Sequence, residues 1–159
     1  KGRFIHTEYV ASDERTGPRF PLLLTTGRVL TQYNVGAQTR RTENLVWHAE
    51  DLLEIHPADA ETRGIRDGDT VRVASRAGDT TLRAKITERV APGVVYTTFH
   101  HPTTQANVVT TDNSDWATNC PEFKVTAVQV SPSNGPSDWQ EEYRAHSDLS
   151  RRILPQAAE

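Results

Sequence analysis

Leu22-Leu23-Leu24-Thr25-Thr26-Gly27-Arg28, continued by Val29-Leu30-Thr31-Gln32-Tyr33-Asn34-Val35-Gly36-Ala37-Gln38-Thr39-Arg40-Arg41, is the stretch on which the reading of the chain turns. A short continuous apolar run is what a strand buried on both faces produces. It breaks at Gly27 into a polar loop that carries three arginines. A strand holds the start of such a loop still, while Gly27 and Gly36 permit positive φ and let a ligand come close to backbone N–H groups. Arg28, Arg40 and Arg41 can grip phosphate or another planar anion through two parallel hydrogen bonds. Composition alone leaves a plainer reading open, that of a strand entering a solvated turn.

Working outward, turn signals space out a series of short strands. Pro21 heads the strand 22–26, where its missing N–H does least harm to the ladder. Asp51-Leu52-Leu53-Glu54-Ile55-His56 reads as a second strand, Pro57 starts a short helix over 58–63, and Gly64 ends it as a left-handed cap. Asp67-Gly68 makes a tight turn before the alternating strand 70–74. Period-two alternation continues over 80–87, Pro92-Gly93 turns the chain into a strand at 94–99, and the last strand covers 123–130. Residues 37–48 read as a loop or one irregular helical turn. The connection from His100 to Pro121 is too long to be a simple joint in a compact domain. Beyond 131–136 the pattern turns helical: Ser137 caps, Gln140 completes a capping box, and Trp139, Tyr143, His146, Ser150 and Ile153 share a face. Arg151 and Arg152 suit the helix end before Pro155. So amphipathic a helix must dock on this domain or on a partner.

At 159 residues the chain fits one domain that buries roughly two thirds of its unfolded surface. Nine glycines, nine prolines and 35% hydrophobic residues suit a turn-rich, mainly β fold. A net charge of -3 argues against a coat for nucleic acid, which needs clustered positive charge. The single cysteine, Cys120, allows no internal disulfide and no cysteine-built metal cluster. No stretch approaches the ~20 apolar residues of a membrane helix, and a cytoplasmic location is expected. The absence of methionine suggests a piece cut from a longer polypeptide.

The order and intervals of 22–28, of His-Pro-Ala-Asp-Ala-Glu-Thr-Arg-Gly-Ile-Arg-Asp-Gly-Asp (56–69), of Asn107 and of Pro-Glu-Phe-Lys (121–124) resemble the C-terminal domain of the molybdopterin dinucleotide oxidoreductases. That family includes formate dehydrogenases and periplasmic nitrate reductases. The resemblance covers about 21–131, and residues 32–41 and 133–140 look most like the catalytic α subunit of the soluble NAD-dependent formate dehydrogenase. It implies a six-stranded double-psi β-barrel with short helices over 21–131, preceded by a linker or edge segment at 1–20 and followed by a helical tail at 132–159. It also implies a cofactor in which one molybdenum or tungsten is carried by two molybdopterin guanine dinucleotides.

By that resemblance Thr26, Gly27 and Arg28 meet a pterin, with Val29 and Gln32 next along the loop and Thr39 and Arg40 continuing the surface. Phe99 packs beside the cofactor, Asn107 hydrogen-bonds it, and Phe123 with Lys124 closes over the second pterin. Many relatives have His at the position of Gln32, and some have Tyr at those of Phe99 and Phe123. No catalytic residue and no metal ligand is expected in this chain. The expected partners are the remaining domains of its own catalytic subunit and iron-sulfur and flavin/NAD subunits, with neither nucleic acid nor membrane. A nitrate reductase-like domain and a cofactor-free interaction module are the alternatives.

Other residues invite sharper readings. His100 and His101 are adjacent and so point to opposite sides of a strand, a poor arrangement for one ion. Asp69, Asp112 and Asp115 suit turns and caps better than acid-base pairs. Cys120 reads as structural or incidental, and Trp47 and Trp116 as core or interface aromatics.

Overall fold

The computed structural model describes residues 2–153 and, within the last helix, side chains as far as Asp148. The readings of Ser150, Arg151, Arg152, Ile153 and Pro155 lie outside the described residues or side chains. Six strands close into a barrel: β1 (Leu22–Gly27), β2 (Leu52–Ile55), β3 (Thr70–Ala74), β4 (Asp79–Ile86), β5 (Val94–Thr98) and β6 (Thr126–Pro132). Around the barrel the order is β1-β5-β2-β4-β3-β6, and β6 returns to β1. The pairs β1–β5 and β2–β4 are parallel and the other four antiparallel. Parallel neighbours require crossovers, and the two here give the interlocked path of a double-psi barrel. Helices α1 (Asn44–Trp47), α2 (Pro57–Glu61) and α3 (Asp138–Ile153) lie in the connections and the tail, with 3-10 turns at Thr39–Arg41 and Ala106–Val108.

Alternation fills the barrel. Leu22, Leu24, Leu53, Ile55, Val71, Val73, Val95, Val128 and Val130 all point inward and are buried, each worth about 1.5–3 kcal/mol of transfer free energy. The leucine run of β1 is therefore buried on one face only. Leu23 is half-buried, and Thr26 takes the third inward position. Strand ends also move: Asp51 and His56 fall outside β2, and β6 starts at Thr126, leaving Phe123 and Lys124 as a strap before it. Helix α2 ends at Glu61, and Gly64 has φ +64, the left-handed conformation that closes the turn.

No strand forms between residues 2 and 21; residues 2–11 are exposed, while the stretch from Ser12 to Phe20 is pinned to the barrel. Glu14 is buried and accepts from the Ala127 N–H at 2.7 Å and from Arg76 at 3.1 Å, and Phe20 is buried under Arg76. At the other end Gln140 plugs α3 into the barrel. Its Oε1 accepts from the Thr81 N–H (3.1 Å) and hydroxyl (2.6 Å), and its Nε2 donates to the Thr81 and Thr103 carbonyls, both at 2.9 Å. The same Oε1 accepts from the Ser137 N–H at 2.9 Å, which is the glutamine half of the expected capping box. The first turn of α3 thus docks on this domain, with Trp139 donating to the Asp79 carbonyl at 3.0 Å.

Candidate functional site

Strand register decides what meets at the candidate site. In the parallel β1–β5 pair Gly27 stands beside Thr98, so the chain leaves both strands at one rim and sets Arg28 near Phe99. In the antiparallel β1–β6 pair Leu24 stands beside Thr126, which carries the strap residues 123–125 back past the end of β1. Thr26 ties the strap down: its hydroxyl donates to the Phe123 carbonyl at 2.7 Å, and its carbonyl accepts from Lys124 Nζ. The Arg28 guanidinium lies 5.4 Å from the Phe99 ring centre and Lys124 Nζ 5.9 Å from it. Both cations therefore favour the negative face of one aromatic ring.

Thr26, Arg28, Asn34, Val35, Phe99, Asn107, Phe123 and Lys124 line a concavity of about 300 Å³. A second, of about 290 Å³, shares Val35, Phe99 and Asn107 and adds Arg40, His101, Pro102, Gln105, Ala106 and Tyr143. Among the described residues no carboxylate lines either cavity. Arg28 is held from one side only, by Nε and Nη2 donating to Asn34 Oδ1 at 3.0 and 2.8 Å. Two cations with no neutralising acid form a setting for an anion.

The remaining expected contacts have other surroundings. Gln32 is buried; its Oε1 accepts from the Thr39 hydroxyl at 2.6 Å and its Nε2 reaches the Asn44 and His48 carbonyls. Gln32 and Thr39 thus hold the loop together from within. The Val29 N–H donates to His100 Nε2 at 3.2 Å, while the other ring nitrogen of His100 meets the Asn34 carbonyl. Gly27 is small because of Tyr96: a Cβ there would lie 2.6 Å from Oη and 2.7 Å from Cε2. Gly36 has φ +67, and a Cβ would meet Arg40 Nε and the His100 carbonyl, each at 2.8 Å. Its bareness lets Arg40 fold back over the loop.

Behind this rim sits Asp51, which is buried. Its carboxylate accepts from the Thr98 hydroxyl, the His100 N–H (3.2 Å), the His101 N–H (2.9 Å) and His101 Nδ1 (3.1 Å). Burial raises its pKa, but the hydrogen bonds from His101 and Thr98 together outweigh it and hold the carboxyl below 3.8. His48 lies beside it, with Nε2 3.7 Å from Asp51 Oδ1, and its pKa is lowered chiefly by burial. His48, Asp51 and His101 have ligand atoms within 4.8 Å of one another. Every donor around Asp51 is 47 to 50 residues away in sequence, so the hub had no local signal. His100 and His101 do diverge, one to the loop and one to Asp51.

Away from the rim, Asp115 closes a turn by accepting from the Ala117, Thr118 and Cys120 N–H groups, and Asp69 accepts from Arg66 N–H at 2.8 Å. Hydrogen bonds from Thr118 are the main reason the Asp115 carboxyl falls to about 2. Cys120 is exposed, and so are Trp47 and Trp116, which are not core residues.

Whether these residues suit a dinucleotide cofactor can be judged from their own bonding. Among the described buried side-chain atoms, Arg40 Nε, His101 Nε2 and Thr126 Oγ1 have no hydrogen-bond partner, and Arg40 and His101 line the second cavity. Buried polar groups left unpaired are expensive, so a polar ligand fits. The description "Molydopterin dinucleotide binding domain" matches residues 22–127. The α subunit of the F420-dependent formate dehydrogenase of Methanocaldococcus jannaschii is 40% identical over 82% of this chain and 20% of its own length. The α subunit of F420-dependent formate dehydrogenase 1 of Methanococcus maripaludis is 38% identical over 81% of the chain and 19% of its own length. The assimilatory nitrate reductase catalytic subunit of Bacillus subtilis is 37% identical over 75% of the chain and 17% of its own length. The chain thus spans about a fifth of the curated relatives it matches. Among solved structures, acetylene hydratase from Pelobacter acetylenicus superposes with a TM-score of 0.61 at 14% identity, over 72% of this chain and 18% of that one, a likeness of fold alone. With its barrel, its anion-ready rim and a match over most of its length, the chain belongs to the molybdopterin dinucleotide-binding domain family.

Proposed function

We propose that the chain is the cofactor-capping domain of a formate dehydrogenase catalytic subunit, and that Thr26, Gly27, Arg28, Val29, Gln32, Thr39, Arg40, Phe99, Asn107, Phe123 and Lys124 make up its share of the cofactor site. The observation that carries this reading is the convergence of Arg28 and Lys124 on Phe99 in a cavity without a carboxylate. Arg28 offers an anion the Nη1 side of its fork, Phe99 supplies an apolar wall and Asn107 a hydrogen-bonding amide. Gln32 and Thr39 act from within by fixing the loop. When bound, a molybdenum or tungsten ion held by two molybdopterin guanine dinucleotides supplies the two-electron chemistry that oxidises formate to carbon dioxide. The domain positions that group and excludes water from it, and alone it turns over no formate.

Formate as the substrate is supported by the two formate dehydrogenase relatives. Nitrate remains the second reading, favoured by the Bacillus subtilis relative. An interaction module without cofactor needs no cationic cavity beside Asn107, whereas here Arg28 and Lys124 line one whose remaining surface is mostly apolar. Electrons would leave through iron-sulfur subunits toward flavin and NAD in a cytoplasmic complex; the NAD assignment rests on the likeness of residues 32–41 and 133–140 to NAD-dependent enzymes, whereas the named formate dehydrogenase relatives are F420-dependent. No helix among the described residues is long and apolar enough to cross a membrane.

The test is the complete catalytic subunit carrying Arg28→Ala or Lys124→Ala, assayed for metal and pterin per subunit. One charge-assisted hydrogen bond of about 1.5–3 kcal/mol corresponds to at least about tenfold faster cofactor loss. Unchanged cofactor content in both variants would refute the site. Offering NAD and F420 to the assembled enzyme, with formate and with nitrate, decides acceptor and substrate.

A further inference from the structure

His101 is the one aromatic nitrogen base built into the second cavity that the family resemblance does not assign. Only 7% of the residue is exposed. Its Nδ1 is committed to Asp51 Oδ1 at 3.1 Å, and its own N–H is committed to Asp51 Oδ2 at 2.9 Å, so ring and backbone are clamped by one carboxylate. The bond to an acceptor-only carboxylate puts a proton on Nδ1. In the neutral ring Nε2 is then an acceptor, and it is buried without a partner while the residue lines the cavity. Arg40, whose Nε is likewise unpaired, brings donors to the same cavity. Phe99, Pro102 and Tyr143 provide flat or apolar walls.

We propose that His101, positioned by Asp51, is a ligand-binding residue that accepts a hydrogen bond from the N–H edge of a planar 2-amino-4-oxopyrimidine ring, whose carbonyl suits the donors of Arg40. Guanine and pterin both present that edge, an N–H donor next to a C=O acceptor. The proposal rests on the cofactor reading above and deepens it: the rim of Arg28 and Lys124 takes the anionic part, and the cavity of His101 and Arg40 takes a ring. A metal ion held by His48, Asp51 and His101 accounts for the same nitrogen less well. Both Asp51 oxygens already accept protein hydrogen bonds, from the Thr98 hydroxyl and from two backbone N–H groups.

Two substitutions separate a ligand contact from a structural one. His101→Asn keeps a nitrogen where Nδ1 stands and so retains the Asp51 bond; His101→Gln puts its amide where Nε2 stands. In the complete subunit the Asn variant is expected to melt near the native temperature yet lose cofactor about tenfold faster, and the Gln variant to recover most of that retention. Retention is read as metal and pterin per subunit after desalting. Reloading with molybdopterin, either bare or carrying its guanylate, identifies the ring: a defect with both forms assigns the pterin edge, and a defect with the dinucleotide alone assigns guanine. Native retention in His101→Asn, or a Gln variant no better than the Asn variant at equal folded fraction, overturns the proposal. So does one equivalent of zinc that is lost on His48→Ala. If Arg28→Ala and Lys124→Ala also leave the cofactor in place, the cofactor reading itself has failed, which is a separate result.

Discussion

Among single residues, Asp51 carries more of the site than any residue that touches the cavities through charge. Replacing it with Ala leaves two backbone N–H groups, the Thr98 hydroxyl and His101 without their acceptor, and buried donors left so cost about 1–3 kcal/mol each. Asp51→Ala should therefore lower stability by roughly 3 kcal/mol or more, read by chemical denaturation. Its pH dependence has a definite sign. The folded carboxyl titrates below 3.8, so its stabilisation is complete above that value and is lost as pH falls through the folded pKa. His48, lowered from 6.5 mainly by burial, works the same way: the unfolded chain takes up the proton first, and stability declines as pH falls below 6.5. Melting temperature should thus fall in two stages on acidification, and His48→Gln should remove the upper one. Arg28, Asn107 and Lys124, which the short motifs single out, do line one cavity. Asp51 and His101 were not legible in the sequence, because hydrogen bonds reaching some 50 positions along the chain leave no mark in any local window.

At the scale of the element, all six strands were readable: the first from its continuous apolar run, those at 70–74 and 80–87 from period-two alternation, and each buries one face in a shared core. Their ends were less readable. Phe123 and Lys124 were read into the last strand, but the Thr26 hydroxyl captures the Phe123 carbonyl at 2.7 Å and the strand begins at Thr126. The leucines of β1 looked buried on both faces because the sequence hides that Leu23 faces outward from a barrel with one interior. Between β1 and β5 the close approach at Gly27 depends on Tyr96. Gly27→Ala would drive Cβ into the phenol at 2.6 Å and should cost about 1–3 kcal/mol, the usual range for overpacking; Tyr96→Leu in the same chain should recover part of the loss in a thermal melt. For α3, Gln140→Ala removes four hydrogen bonds to Thr81 and Thr103 and the bond to the Ser137 N–H. The tail should then release from the barrel, visible as new proteolytic cleavage between residues 133 and 140 at a temperature where the native chain resists.

For the whole molecule, Arg28 of the charged rim and a run of exposed apolar residues lie on the same long loop. Leu30 is fully exposed, Val46 is 85% and Trp47 78% exposed, and Tyr33 and Val35 stand between them in sequence. Scattered exposed apolar groups are ordinary, but a cluster beside a ligand cavity marks a surface covered by something else. The chain spans about a fifth of its curated relatives, and on the cofactor-capping reading proposed above the rest of the same subunit would cover this face, with cofactor between the two. Closing that face would bury the cations as well as the ring, and in a drier setting each charge-assisted contact strengthens. This has a measurable consequence. Val46→Ser with Trp47→Ser removes apolar surface that is mostly exposed in this domain, so its own melting should change by no more than about 0.5 kcal/mol. In the complete subunit the same pair should speed cofactor loss and expose the loop at 30–47 to protease, although neither residue lines either rim cavity. Equal and ready cleavage of that loop in native and variant subunits would show that its apolar face is bare in the assembled protein, and the cations would then bind their ligand in open solvent.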